Sequence, residues 1–116
     1  MHTLIVIDCA PYGSWKGRES LDMAFSLAAF DQPVSLLFID EGVLWPKQGQ
    51  QADAIDQKSV EKNLRAASIF GIESIMAEGD ACQRFGLDSH NLIDGVSQVD
   101  DLRHTLSRYG HVVLPG

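Results

Sequence analysis

The stretch Pro33-Val34-Ser35-Leu36-Leu37-Phe38-Ile39-Asp40-Glu41-Gly42 decides the fold. Pro33 lacks a backbone N–H and stops any helix that reaches it. The apolar run from Val34 to Ile39 is too short for a buried helix, does not alternate with polar residues, and is closed by the turn-forming Asp40-Glu41-Gly42. This is the most strand-like segment in the chain, and the unbroken run Leu4 to Ile7 ahead of it suits a strand covered on both faces, which is the situation of a parallel sheet.

Working back from Pro33, the period changes. Leu21, Ala24, Phe25, Ala28 and Ala29 share one helical face, while Glu19 and Ser26 point away from it. A turn at Pro11-Tyr12-Gly13 precedes this helix, and before the turn lies the run Leu4 to Ile7, rich in β-branched residues. The first forty residues therefore read as strand, loop, helix, strand.

Working forward from Gly42, Trp45 to Asp53 is rich in Gln and holds Pro46 and Gly49, which predicts a surface loop long enough for a contact role. Asp56 is placed to cap a second helix, with Val60, Leu64 and Ala67 in helical spacing until Gly71. A short strand over Glu73 to Ala77 follows, then a helical turn that starts at Asp80 and ends at Gly86. Asn91 to Val96 carries a weak strand pattern. The last helix has Asp100 and Asp101 at its positive end, Leu102, Leu106 and Tyr109 along one face, Arg108 near the negative end and Gly110 as its stop, before Val112-Val113-Leu114.

Strands that alternate with helices call for an α/β fold, a three-layer α/β/α sandwich whose mainly parallel sheet has about five strands. With 116 residues and no repeat or linker, one domain over residues 1–116 is expected.

Composition removes several classes of function. A formal charge of −7, with 9 scattered basic residues, does not fit direct nucleic-acid binding. The apolar N-terminal run is too short to span a membrane and lacks the basic start of a signal peptide, so a soluble, cytoplasmic protein is expected. Cys9 and Cys82 stand far apart, outside any CxxC or zinc spacing, and are expected as free thiols.

In a parallel sheet the informative positions lie beyond the carboxyl ends of the strands, here Asp8 to Gly17, Asp40 to Gly42 and Ala77 to Asp80. Gly13-Ser14-Trp15-Lys16-Gly17-Arg18 matches neither phosphate-binding glycine pattern, and no cofactor is expected. Asp8 and Asp40 could together hold Mg²⁺, but Asp at a strand end is commonly a turn former or cap. His2, His90, His104 and His111 form no HExxH pair, and no metal site is expected. A catalytic serine has no GxSxG elbow to sit on. The thiols remain. Cys82 lies just inside the short helix begun by Asp80, where a helix start can lower a thiol pKa but the Asp80 charge opposes it; Cys9 follows the first strand. Either could carry sulfur, Cys82 before Cys9, but a small buried apolar residue is the commoner fate of a lone cysteine.

Ala10-Pro11-Tyr12-Gly13, Gly17-Arg18-Glu19-Ser20-Leu21-Asp22, and Ala29-Phe30-Asp31-Gln32-Pro33-Val34 through Phe38-Ile39-Asp40-Glu41-Gly42-Val43 resemble the successive signatures of the TusC/DsrF family. The motif positions are Pro11, Gly13, Gly17, Arg18, Glu19, Asp40 and Gly42. Leu64, Phe70-Gly71-Ile72 and Arg84-Phe85-Gly86-Leu87-Asp88 continue the resemblance more loosely. It implies a DsrE-like fold and a heterohexamer with TusB/DsrH-like and TusD/DsrE-like subunits, reaching sulfur-carrier proteins through the complex. The implied role is persulfide transfer toward 2-thiouridine of tRNA, or, in the Dsr branch, cytoplasmic sulfur oxidation.

The family's sulfur-carrying cysteine starts the short helix that ends in Arg and Gly, and counting back from Gly86 places that position near Glu78. A carboxylate there implies a non-catalytic subunit, with Cys82 one turn deeper along the helix. Tyr12, Trp15 and Trp45 are candidate interface anchors, with core packing as the alternative for each. Two rival functions stay open: a homomeric thiol sulfurtransferase using Cys82 or Cys9, and a flavodoxin-shaped ligand-binding module, which would lack its phosphate loop.

Overall fold

The structure, a computed structural model, describes residues 2–10, 16–47 and 64–114. Its elements run β1 (Thr3–Ile7), α1 (Lys16–Ala29), β2 (Val34–Phe38), a 3-10 helix (Asp40–Leu44), β3 (Ile72–Glu78), α2 (Gly79–Arg84), β4 (Val96–Val99), α3 (Leu102–Ser107) and β5 (His111–Val113). The five strands form one sheet in the order β4-β3-β2-β1-β5, and every pairing is parallel. Apolar side chains pack against both faces, which makes the three-layer α/β/α sandwich expected from the strand patterns.

One face of β1 and β2, with Ile5, Ile7, Leu36 and Phe38, packs under Leu21, Ala24 and Ala28 of α1 and Ala81 and Cys82 of α2. The opposite face, with Leu4, Val6, Leu37 and Met76, packs under Leu102 and Leu106 of α3. Every residue of β2 is buried, which is why its sequence shows no alternation. Ser35 is the polar exception, and its hydroxyl is 2.9 Å from His2 Nε2.

Several boundaries differ from the sequence reading for local reasons. The fourth strand is Val96–Val99 instead of Asn91 to Val96, because Asp88 to Asn91 is occupied by a side-chain-bonded turn and Ile93 N–H donates to Pro46 O at 2.8 Å. Ala29 is exposed although it shares the apolar spacing of α1. At the start of the last helix, Asp101 is the cap, accepting from His104 N at 3.1 Å.

The start of the expected surface loop is interior. Trp45 is 1 % exposed, its ring stacks on Phe38 at 6.4 Å, and its Nε1–H donates to Cys9 O at 2.7 Å. Residues 48–53, and the proposed cap Asp56, lie outside the described residues.

Candidate functional site

Parallel pairing brings the ends of β1, β2, β3 and β4 to one pole of the sheet, and carboxylates follow each of them: Asp8, Asp40 with Glu41, Glu78 with Asp80, and Asp100 with Asp101. Two of the motif glycines let the backbone close up here. A Cβ on Gly42 would stand 2.1 Å from Ile7 O, so the 3-10 helix lies directly against the end of β1. A Cβ on Gly17 would stand 2.4 Å from Trp45 Cζ2, so the start of α1 rests on the buried indole. Gly17 and Gly42 are therefore packing positions.

Asp40 organises the centre of this pole. Its backbone is left-handed, with φ of 47°. Its N–H donates to Glu78 Oε1 at 3.0 Å, and its Oδ1 accepts from Arg84 Nη2 at 3.1 Å. Glu78 precedes α2 and Arg84 ends it, so one residue ties both ends of the 6-residue helix that carries Cys82. The contacts span 38 and 44 positions, and no local pattern announces them. The carboxylate of Asp40 is paired with Arg84, in keeping with a structural role at the strand end. Among the described residues, no group of three or more His, Cys, Asp or Glu side chains is placed to hold a metal ion.

The two thiols differ. Cys82 is fully buried in the apolar layer between α2 and the sheet. Burial pushes its thiol up from the ordinary range, and the Glu78 carboxylate adds to the effect. The opposing charge comes from Glu78: the helix begins at Gly79, one residue earlier than its sequence reading, and Glu78 occupies the cap position without a side-chain cap bond. Cys9 is half-buried behind β1, beside Gly17. Cys82 is closed off from the exposed Arg84 and the half-buried Glu78 at the helix ends.

Of the other motif and anchor positions, Arg18 is half-buried and Glu19 is exposed in the first turn of α1. Pro11, Tyr12, Gly13 and Trp15 lie outside the described residues. Trp45 packs in the core, the alternative given for it, with its indole enclosed by this chain.

Comparison with known proteins agrees with this architecture. The profile of the DsrE/DsrF-like family matches residues 1–115. The TusC homolog of Pseudomonas aeruginosa is 34% identical over 112 residues, covering 95% of this chain and 94% of that protein. The intracellular sulfur oxidation protein DsrF of Allochromatium vinosum is 32% identical over 85 residues, covering 73% of this chain and 62% of its own length. In the fold, the crystal structure of the ychN protein from E. coli superposes with a TM-score of 0.78 at 20% identity, over 97% of each chain. On the extent of the profile match and the identity to the Pseudomonas relative, this chain belongs to the DsrE/DsrF-like family.

Proposed function

We propose that this chain is a non-catalytic subunit of a sulfur-relay assembly, supporting persulfide transfer that takes place on a partner's cysteine. The observation that carries the reading is the pairing of Glu78 with Cys82. The position where the family resemblance expects the sulfur-carrying thiol holds a carboxylate bound to Asp40 N–H, and the nearest thiol is sealed inside the core with its thiolate disfavoured. A buried, protonated thiol is a poor nucleophile.

The assembly in this reading contains TusB/DsrH-like and TusD/DsrE-like partners. The match to TusC homologs over nearly the whole chain supports a place in tRNA wobble-uridine 2-thiolation. The match to DsrF supports the alternative, cytoplasmic sulfur oxidation. Given the net charge of −7, contact with tRNA falls to other subunits. No described helix is long and apolar enough to cross a membrane, and the reading places the protein in the cytoplasm.

Native mass spectrometry of the chain co-expressed with DsrE-like and DsrH-like subunits, followed by persulfide loading and peptide mapping, tests this. The expected result is a hetero-oligomer with the added sulfur on a partner only. A homomeric chain loaded at Cys82 or Cys9, with loading abolished by the corresponding Ser substitution, would replace the subunit reading by that of a thiol sulfurtransferase.

A further inference from the structure

Among the described residues, three of the six large exposed apolar side chains gather at the pole where the strands begin. Phe30 is 78 % exposed, Ile69 84 % and Phe70 57 %. Phe30 directly follows α1, and residues 69 and 70 lead into β3. The two corners touch: Phe25 and Phe70 meet edge to face at 5.7 Å, and a Cβ on Gly71 would lie 3.5 Å from Ala28 Cβ. Isolated exposed apolar residues are ordinary, whereas neighbouring ones of this size mark a contact surface.

A groove beside them gives the chemistry of the occupant. Ala28, Pro33 and Gly71 contribute its apolar lining, and Asp31 and Glu73 bring two carboxylates to it. Both acids are exposed, and Glu73 is also 3.4 Å from His2 Nε2. A lysine or arginine fits such a groove, with its aliphatic stem along the apolar lining and its charged head between the carboxylates. A second copy would bring the same acidic groove and a further charge of −7 against it. Nucleic-acid phosphates and anionic bilayers meet the same repulsion.

We propose that Phe30, Ile69 and Phe70, with Asp31 and Glu73, form the docking surface for a protein partner that presents a basic side chain beside an apolar patch. The partner is another subunit of the relay assembly, so the inference rests on the subunit reading above.

The test is sedimentation of the full chain with purified DsrE-like and DsrH-like subunits across a range of salt. It uses wild type, the pair Phe30→Ser with Ile69→Ser, and the near-isosteric pair Asp31→Asn with Glu73→Gln. Asn tolerates the left-handed backbone that Asp31 holds at φ 61°. Circular dichroism establishes that each variant is folded. The apolar pair is expected to raise Kd by about tenfold or more. The charge pair is expected to raise it roughly two- to fivefold and to flatten its salt dependence. Folded variants that assemble with wild-type Kd and salt dependence would overturn the docking surface and leave the subunit reading standing. Wild type that binds neither partner would overturn the subunit reading, and the docking proposal with it. Self-association that depends on Phe30 would assign the surface to a second copy and overturn the proposal.

Discussion

Replacing Gly42 with alanine is a one-methyl change that the structure marks as severe. The added Cβ would stand 2.1 Å from Ile7 O and 2.9 Å from Ile7 C. Both atoms are backbone, so no flexible side chain can yield. Ile7 O also accepts from Ile39 N at 3.0 Å, closing the β1–β2 ladder, and any shift that relieves the clash stretches that bond. Overpacking costs about 1–3 kcal/mol and the bond about 1 kcal/mol, giving a loss of about 2–4 kcal/mol. This is a large fraction of the roughly 5–15 kcal/mol that holds a domain folded. With a urea m-value of about 1–3 kcal/mol/M, the midpoint should fall by roughly 1 M or more. Urea denaturation of the isolated chain, followed by circular dichroism, measures it. An unchanged midpoint would refute the close-packing argument, and a stable Gly42→Ala chain that failed to assemble would move Gly42 from packing to the interface.

Other expectations follow from the same geometry. Trp45→Phe leaves Cys9 O without its 2.7 Å donor and opens space beside Gly17, so a loss of about 2 kcal/mol is expected in denaturant titrations, with assembly unaffected. Arg84→Ala removes an exposed ion pair with side chains 59% and 61% accessible, and should change the unfolding free energy by less than about 1 kcal/mol. For Cys82, the folded thiol holds its proton more tightly than the unfolded one. Its contribution is complete below the unfolded thiol's pKa and is lost as pH rises through the folded one, so wild type should lose stability in the alkaline range that Cys82→Ala retains. Parallel Tm curves for the two proteins between about pH 7 and 10 would contradict this linkage.

The legibility of the fold was uneven. Val34 to Phe38 could be read because burial on both faces leaves a run that is apolar but for Ser35. The face of α1 could be read from the spacing of Leu21, Ala24 and Ala28, while Ala29 has the right residue type and the wrong exposure, since a small side chain at the edge of a stripe is tolerated on either side. The bounds of Val96–Val99 are not legible because its middle residues, Ser97 and Gln98, are exposed and carry no apolar signal, whereas the buried Leu92 and Ile93 pair with Lys47 and Pro46 outside the sheet. Trp45 shows the same limit, because a tryptophan followed by Pro46 and a Gln-rich stretch resembles a loop residue until its indole is seen filling the space above Gly17.

The sequence by itself determined the class of fold and the identity of the residue at the strand-to-helix junction. Both are properties of short windows: apolar period, helix stops, and a carboxylate at Glu78 with the only nearby thiol one turn further on. Tertiary structure alone decided that Asp40 joins Glu78 to Arg84, that Cys82 is sealed while Glu78 faces outward, and that Phe30 and Asp31 share a pole with Phe70 and Glu73. Asp40 lies 38 and 44 positions from its two partners, and Phe30 and Asp31 lie about as far from Phe70 and Glu73. Only the order of the strands, set by the packing of both sheet faces, brings them within contact distance.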